Sequence, residues 1–380
     1  MTDYTELNER QTIYLQRVSK QVLSDYIYKA INSSYRQVRA ELIDFESITN
    51  QRDLNKLTAE IRRIIKAEML PAWDSVAENY NEVAIAQAEF SANAVMSTQT
   101  VLLSIPADEQ IKRAVNNSIM SLTSGSKTTA GTWQQFIDAN TDNMAQAYNS
   151  VVIDAYQKGR INSEAAPTVS QISQQLRQLN ENLIKNNADA IARTGVVHYA
   201  NQGQSYMARQ NSDVIEKEYP IVTFDNRVSN TCISIDAKYS DGWLISKSPI
   251  GYPPYHYQCR TAIGYLTKGQ KKPEGDRVSI GGQKGKEAQE AFNGRKDRLR
   301  TASQVRYRGR KDSNVFKPEL INADTPVAAF LRSQPRWFVD DTLGKTAGDL
   351  FLSGKLKLKD LTDDNLRPLS VAELKLKAGL

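Results

Sequence analysis

Apolar residues recur at intervals of three and four along the first half of the chain. Tyr14, Val18, Val22, Tyr26, Ala30 and Ile31 fall on one face of a 3.6-residue helix. Leu54, Leu57, Ile61, Ile64 and Ile65 repeat that spacing, and the pattern predicts a stop near Pro71. A third run passes through Val76, Tyr80, Val83, Ala84 and Ala88. Gly and Pro are almost missing before residue 120, which permits long helices. Ser124-Gly125-Ser126 reads as a turn. Helical patterning resumes from Phe136 to Tyr156 and from Ser170 to Tyr199. Gly159, after Lys158, is expected as a C-cap, since glycine enters the left-handed conformation without steric cost.

The texture changes near residue 211. From Glu218 to Leu266 the chain is richer in Tyr, Val, Ile, Gly and Pro, and Tyr219-Pro220-Ile221-Val222-Thr223-Phe224 reads as a short strand. Thr325-Pro326 is expected to be an N-cap followed by Pro at the first helical position. Leu356-Lys357-Leu358-Lys359 alternates like a strand, Gly344 and Gly354 follow short helical runs, and Ser370-Val371-Ala372-Glu373 has the spacing of a capping box. The fold class expected is α+β. Long helices over 1–200 precede a small α+β module at 201–267, then a basic flexible arm at 268–315 and a short helical C-terminal segment at 316–380.

Length and composition narrow the class. The 380 residues suggest two or three domains with ample core. With 40% hydrophobic and 24% charged residues, the chain reads as folded and soluble. No apolar run approaches the ~18 residues of a membrane span. The N-terminal Met1-Thr2-Asp3-Tyr4-Thr5-Glu6 has neither the basic nor the apolar region of a secretory signal. Two cysteines cannot form a disulfide scaffold and suggest a reducing compartment.

Charge is mild overall, at +6, but uneven. Residues 268–311 hold fourteen Lys/Arg against five Asp/Glu, a net of +9, so the remainder is net acidic. Gly281, Gly282, Gly285 and Gly294 suggest a poorly packed arm there. Within it Arg295, Lys296, Arg298, Arg300, Arg306, Arg308, Arg310 and Lys311 could neutralise phosphates of double-stranded DNA without reading sequence. The alternative is a solvated linker, or a strap against an acidic partner surface.

Candidate chemistry concentrates between Asp225 and Arg260. Both cysteines and one of two histidines lie within 28 residues. His256-x-x-Cys259 has metal-ligand spacing, Cys232 can add a third donor, and Asp236 is the candidate fourth. Thiolate and imidazole suit zinc. The plainer alternative is two buried, reduced cysteines beside a histidine bonded to backbone. Enzyme signatures are weak: the sequence has no Gly-x-x-x-x-Gly-Lys-Ser/Thr loop, no Gly-x-Ser-x-Gly elbow and no His-Glu-x-x-His. His256 with Asp225 or Asp236 is the nearest thing to an acid/base pair. His198 reads as a packed or capping histidine, and Trp73, Trp133, Trp243 and Trp337 as core anchors.

These residues carry a resemblance. Asp225-x-Arg227, Cys232 and Pro253-Pro254-Tyr255-His256-Tyr257-Gln258-Cys259-Arg260 look like the phage Mu F-like head morphogenesis family, with its Asp-x-Arg-x-x-Cys turn, Cys-x-x-Cys pair and Pro-x-x-His-x-x-Cys-Arg. Ile191-Ala192-Arg193-Thr194, with His198 and Asn201, resembles the helix that precedes that turn. Phe330-Leu331-Arg332-Ser333-Gln334-Pro335, Leu343-Gly344-Lys345-Thr346, Leu350-Phe351-x-x-Gly354-Lys355-Leu356 and Arg367-Pro368-Leu369-Ser370-Val371-x-Glu373-Leu374 follow the order of its C-terminal segment. The match covers roughly 185–265 and 325–375. Departures are Ile235 where the family has its second Cys, Gly195 for the acid after Arg-Thr, and Ala347 for the Arg after Leu-Gly-x-Thr.

The resemblance implies a minor head protein of a virion, assembled in the host cytoplasm near the portal vertex. It implies binding to the portal protein, to other capsid proteins or to further copies, and a part in genome packaging or delivery. Asp225, Arg227, Pro254, Arg260, Leu343 and Gly344 are then structural motif residues, and no catalytic residue is expected. The alternative is an enzyme on the same module, a nuclease or an ADP-ribosyltransferase-like transferase.

Overall fold

The computed structural model describes residues 4–45, 48–125, 127–161, 167–272, 276–291 and 315–380. Helices dominate, joined by three small antiparallel sheets, so the class is α+β. Helix α1 (Tyr4–Val22) continues through a π-helical turn (Leu23–Ile27) into α2 (Tyr28–Glu41). Helix α3 (Gln51–Gln99) follows, with its first turn capped by Asn50, whose side chain accepts the Asp53 N–H. Then come α4 (Asp108–Asn116), the hairpin β1 (Met120–Ser124) and β2 (Lys127–Gly131), and α5 (Trp133–Ile161). Helix α6 (Val169–Leu179) passes through a second π-helical turn (Asn180–Ile184) into α7 (Lys185–Gln210).

Two expected breaks are not there. Pro71 lies inside α3, which runs unbroken past it. The carbonyl that Pro71 leaves without an N–H partner belongs to Ala67, an exposed residue. Met69, Trp73 and Val76, buried on either side of the proline, keep the helix continuous through tertiary packing. Gly159 likewise continues α5 to Ile161 in ordinary helical geometry and is not a left-handed cap. Gly125, by contrast, takes φ +56° and closes the expected turn between β1 and β2; Ser126 lies outside the described residues.

One apolar core joins these helices. Trp133 from α5 meets Trp73 and Tyr80 of α3 and Tyr199 of α7, at ring-centre distances of 5.7–6.0 Å. Gly195 leaves room for it, since a Cβ there would strike the Trp133 ring. All four tryptophans are buried.

Strand β3 (Ile215–Ile221) sits between β4 (Trp243–Leu244) and β5 (Ala262–Thr267). The strand expected over 219–224 is thus shifted. Pro220 is tolerated because β4 pairs only with Lys217 and Glu218, so no ladder bond is demanded of the proline on that side. Val222–Phe224 have left the ladder, and the Phe224 carbonyl accepts the Ile280 N–H at 2.9 Å. Helix α8 (Asn230–Tyr239) lies between β3 and β4.

Within the stretch expected as an arm, β6 (Asp276–Gly282) pairs along its length with β7 (Phe316–Asn322). Gly281 and Gly282 are there for close approach: a Cβ would come within 2.7 Å of Gln334 and of Trp337 respectively. Three short helices follow, α9 (Val327–Ser333), α10 (Arg336–Leu343) and α11 (Lys345–Leu352), and then α12 (Val371–Lys377). Pro326 itself is the N-cap of α9, one residue later than expected from Thr325. The alternation at 356–359 does not make a strand. Leu356 and Leu358 are buried, but with no partner strand the chain turns into a 3-10 helix (Leu358–Leu361). Ser370 and Glu373 form the expected capping box.

A second apolar core unites Val222, Phe224, Cys232, Ile235, Tyr255 and Cys259 with Phe330, Leu331, Phe338, Leu343, Phe351, Leu361 and Leu374. Among the described residues no helix is long and apolar enough to cross a membrane.

Candidate metal centre beside a cavity

Ser229 starts the site. Its hydroxyl accepts the Cys232 N–H at 3.1 Å, the N-cap of α8, and so places Cys232 in the first turn. The same Oγ lies 2.8 Å from His256 Nε2. His256 comes from the loop after the cis Pro253-Pro254 peptide. That loop is held by two bonds from the helical region: Thr123 N–H donates to the Tyr255 carbonyl at 3.0 Å, and Gln258 N–H donates to Thr194 Oγ1 at 2.9 Å.

Cys232 Sγ stands 3.1 Å from His256 Nε2 and 3.8 Å from Cys259 Sγ. The donor atoms of Cys232, His256 and Cys259 all lie within 4.8 Å of one another, and the group can hold a metal ion. Two thiolates bonded at ~2.3 Å to a tetrahedral metal are roughly 3.8 Å apart, which the sulfurs match. The outer contacts fit too. His256 Nδ1 lies 2.8 Å from the Tyr257 carbonyl, so a proton donated there leaves Nε2 facing the sulfurs as a lone-pair donor. Thr261 Oγ1 donates to Cys232 Sγ at 3.1 Å.

Electrostatics treat the two sulfurs differently. Burial would raise the Cys259 thiol, but the hydrogen bond from Cys232 and the nearby His256 charge hold it well below the ordinary range. The Cys232 thiol, hydrogen-bonded to Cys259 and buried, is pushed up. Burial opposes protonation of His256, yet the Cys259 charge leaves its pKa raised.

Asp236 does not complete the set. It lies outside the donor group, and its Oδ2 instead accepts the Val327 N–H at 3.4 Å, at the start of α9. Asp236 lies one turn along α8 from Cys232, about 5.4 Å further up the axis, where the first turn of α9 engages its carboxylate. Burial pushes its carboxyl up, against the pull of Arg277. Neither proposed acid/base pair forms. Asp225, almost fully buried, accepts two bonds from Arg260, at 2.6 and 2.7 Å, and one from the Arg227 N–H at 2.9 Å. Burial alone would raise its carboxyl, but Arg260, with Arg227, holds it below the usual range. His198 is a packed histidine, buried with Nε2 2.8 Å from Ser118 Oγ, and burial lowers its pKa to about 4.

Residues in and just before α8 tie it to the tail. Asn230 donates to the Leu343 carbonyl, Thr231 to the Leu366 carbonyl, and Asn226 to Asp341. Gly344 adopts φ +85° between α10 and α11, and Pro254 is buried in the Cys/His loop. Arg295, Lys296, Arg298, Arg300, Arg306, Arg308, Arg310 and Lys311 all lie outside the described residues. Sequence reading missed Ser229, Thr261 and the anchoring role of Thr194. Ser229 was findable, because Ser-x-x-Cys at a helix start is N-cap spacing; Thr194 is brought in only by the fold. Beside the cluster a cavity of about 290 Å³ opens between α1, α7 and the Cys/His loop.

Comparison of the chain with family models, with curated proteins and with solved structures returns no match.

Proposed function

We propose that this chain is a minor head protein of a bacteriophage, similar to the Mu F-like family, that acts by binding in head morphogenesis at or near the portal vertex. One observation carries the reading. The two blocks of the resemblance, around 225–260 and 330–374, are far apart in sequence yet share one apolar core and are joined by the Asn230, Thr231 and Asn226 bonds. A resemblance by chance has no reason to select two segments that fold against each other. The helices of 1–200 dock on portal protein or on neighbouring copies, and the basic residues between 295 and 311 lie along packaged duplex DNA, where counterion release favours them.

Cys232, His256 and Cys259 hold zinc, which would tie α8 to the His256 loop when bound. Asp225 and Arg260 brace that loop from beneath.

Mass spectrometry of purified virions from the phage that encodes the chain is expected to find the polypeptide in the particle. Its absence from intact, infectious particles overturns the head reading. On the purified full chain, metal analysis should find stoichiometric zinc, lost in Cys259→Ser. A melting temperature indifferent to chelator dismisses the zinc. Replacing the eight arginines and lysines between 295 and 311 by glutamine should abolish salt-sensitive duplex binding.

A further inference from the structure

The chain has two cysteines, and the fold sets them against each other. Cys232 and Cys259 are 27 residues apart in sequence, yet their sulfurs lie 3.8 Å apart, unbonded and buried. With two cysteines in the whole chain, this is the one disulfide that can form within it. A disulfide holds its sulfurs about 2.05 Å apart, so the pair must close by roughly 1.8 Å, a gap that rotation about both Cα–Cβ bonds can cover.

The backbone under each sulfur is held by contacts that involve neither sulfur. Ser229 caps α8 through the Cys232 N–H. On the other side Gln258 takes φ +59° and donates its N–H to Thr194, and the Cys259 N–H donates to the His256 carbonyl at 3.2 Å. The sulfurs are therefore kept facing each other without a metal between them. They differ in access. Cys259 lines the cavity of about 290 Å³, whereas Cys232 does not, and stands against Thr261 and His256. At 1% exposure Cys259 is reached only as the loop opens, and only by a small reactant.

We propose that Cys232 and Cys259 are a redox pair that hydrogen peroxide closes to a disulfide, so that the clasp between α8 and the His256 loop has two exclusive forms, metal-bound and disulfide-bonded. In the first step Cys259 Sγ takes one peroxide oxygen. The O–O bond breaks, a sulfenic acid forms, and the thiol proton leaves with the departing hydroxide as water. In the second step Cys232 Sγ displaces the sulfenic hydroxyl. The S–S bond forms, the S–O bond breaks, and the second thiol proton leaves in a second water. Two thiols are oxidised and one peroxide is reduced. The disulfide consumes both sulfur donors, so it excludes the metal, yet it keeps α8 tied to the loop. The pairing stands without the zinc reading; only the exclusion of metal rests on it.

Intact-mass spectrometry on the full chain tests this. The chain is freed of metal with chelator, treated with hydrogen peroxide and alkylated in denaturant. The expected product is monomeric, lighter by two hydrogens, takes up no alkyl group and returns to the thiol form with dithiothreitol. Its melting temperature should lie several degrees above that of the reduced, metal-free chain, because the bond constrains the unfolded state. Cys232→Ser has no second thiol and should instead gain oxygen at Cys259. The zinc-loaded chain should form the disulfide at least about tenfold more slowly, and the disulfide form should bind no zinc. A disulfide that forms in a chain shown to bind no zinc supports the pair and removes only the metal-bound form. Two alkylatable thiols after treatment, oxygen added to the native chain without loss of two hydrogens, or covalent dimers in place of the monomeric product overturn the proposal.

Discussion

The two apolar cores are built by different means. The first is made of long helices whose apolar stripes meet side by side, and an aromatic knot of Trp73, Tyr80, Trp133 and Tyr199 closes it. Polar ties reinforce it, among them Tyr80 OH donating to the Ala192 carbonyl at 2.7 Å, Tyr148 OH to Asn180 at 2.6 Å and Gln204 Nε2 to Gln87 at 3.0 Å. The second is gathered from short segments between 222 and 374. Phe224 stacks on Phe330 at 5.2 Å, but most of its pieces are too short to fold on their own. It depends on directed polar links: the Asp225–Arg260 pair, the α8-to-tail bonds and the Cys/His group. Periodic sequence can be stabilised largely by burial of its apolar stripes. Short, irregular sequence needs specific partners to select one arrangement.

That contrast can be broken by substitution. Asp225→Ala leaves Arg260 buried with no partner and should destabilise the second core by about 3–5 kcal/mol. Trp133→Ala should cost about the same, but through a cavity among the helices. Denaturant unfolding followed by far-ultraviolet circular dichroism should place the Trp133→Ala loss in the main helical transition. Protease susceptibility of the tail should rise more in Asp225→Ala. If both variants lower one shared transition equally, with equal tail cleavage, the two cores are a single cooperative unit.

A pH series sharpens it further. His198 has a folded pKa of about 4 against an ordinary 6.5, because burial disfavours its charge. Below about pH 6.5 the unfolded chain takes up a proton that the folded chain refuses, so stability falls as pH drops from 6.5 to 4. The full loss is about 3 kcal/mol, and His198→Gln should flatten that part of the profile. Smaller again is Gly344→Val. At φ +85° and ψ 148° the backbone there is nearly glycine-only, and the substitution should cost about 1–3 kcal/mol, measured as a lowered melting temperature. A similar loss from an exposed helical neighbour such as Lys345→Val would remove the special role of that turn.

Much of the helical half is legible in the chain because burial there has a 3.6-residue period, and Leu54, Leu57, Ile61, Ile64 and Ile65 are all buried as spaced. Pro71 misled because the buried Met69, Trp73 and Val76 on either side outweigh its local penalty; Gly159 misled because helical glycine costs only about 1 kcal/mol and the exposed last turn of α5 simply continues through it. The ligand group Cys232, His256 and Cys259 was readable from residue type and spacing. Asp236 was not excludable, since whether it turns to the sulfurs or to the Val327 N–H depends on a helix ninety-odd residues away.

By itself, the sequence determined which residues are able to be helical, where glycine is free to turn the chain, and which side chains can donate to a metal. These are properties of a residue and its near neighbours, set by sterics and by chemical type. Only the tertiary structure decided that β6 joins β7, that the tail closes over α8, and that Gln11, Asn201 and three arginines line one cavity. Contacts between distant segments depend on how shapes and charges fit once the chain has collapsed, and no local pattern encodes that fit.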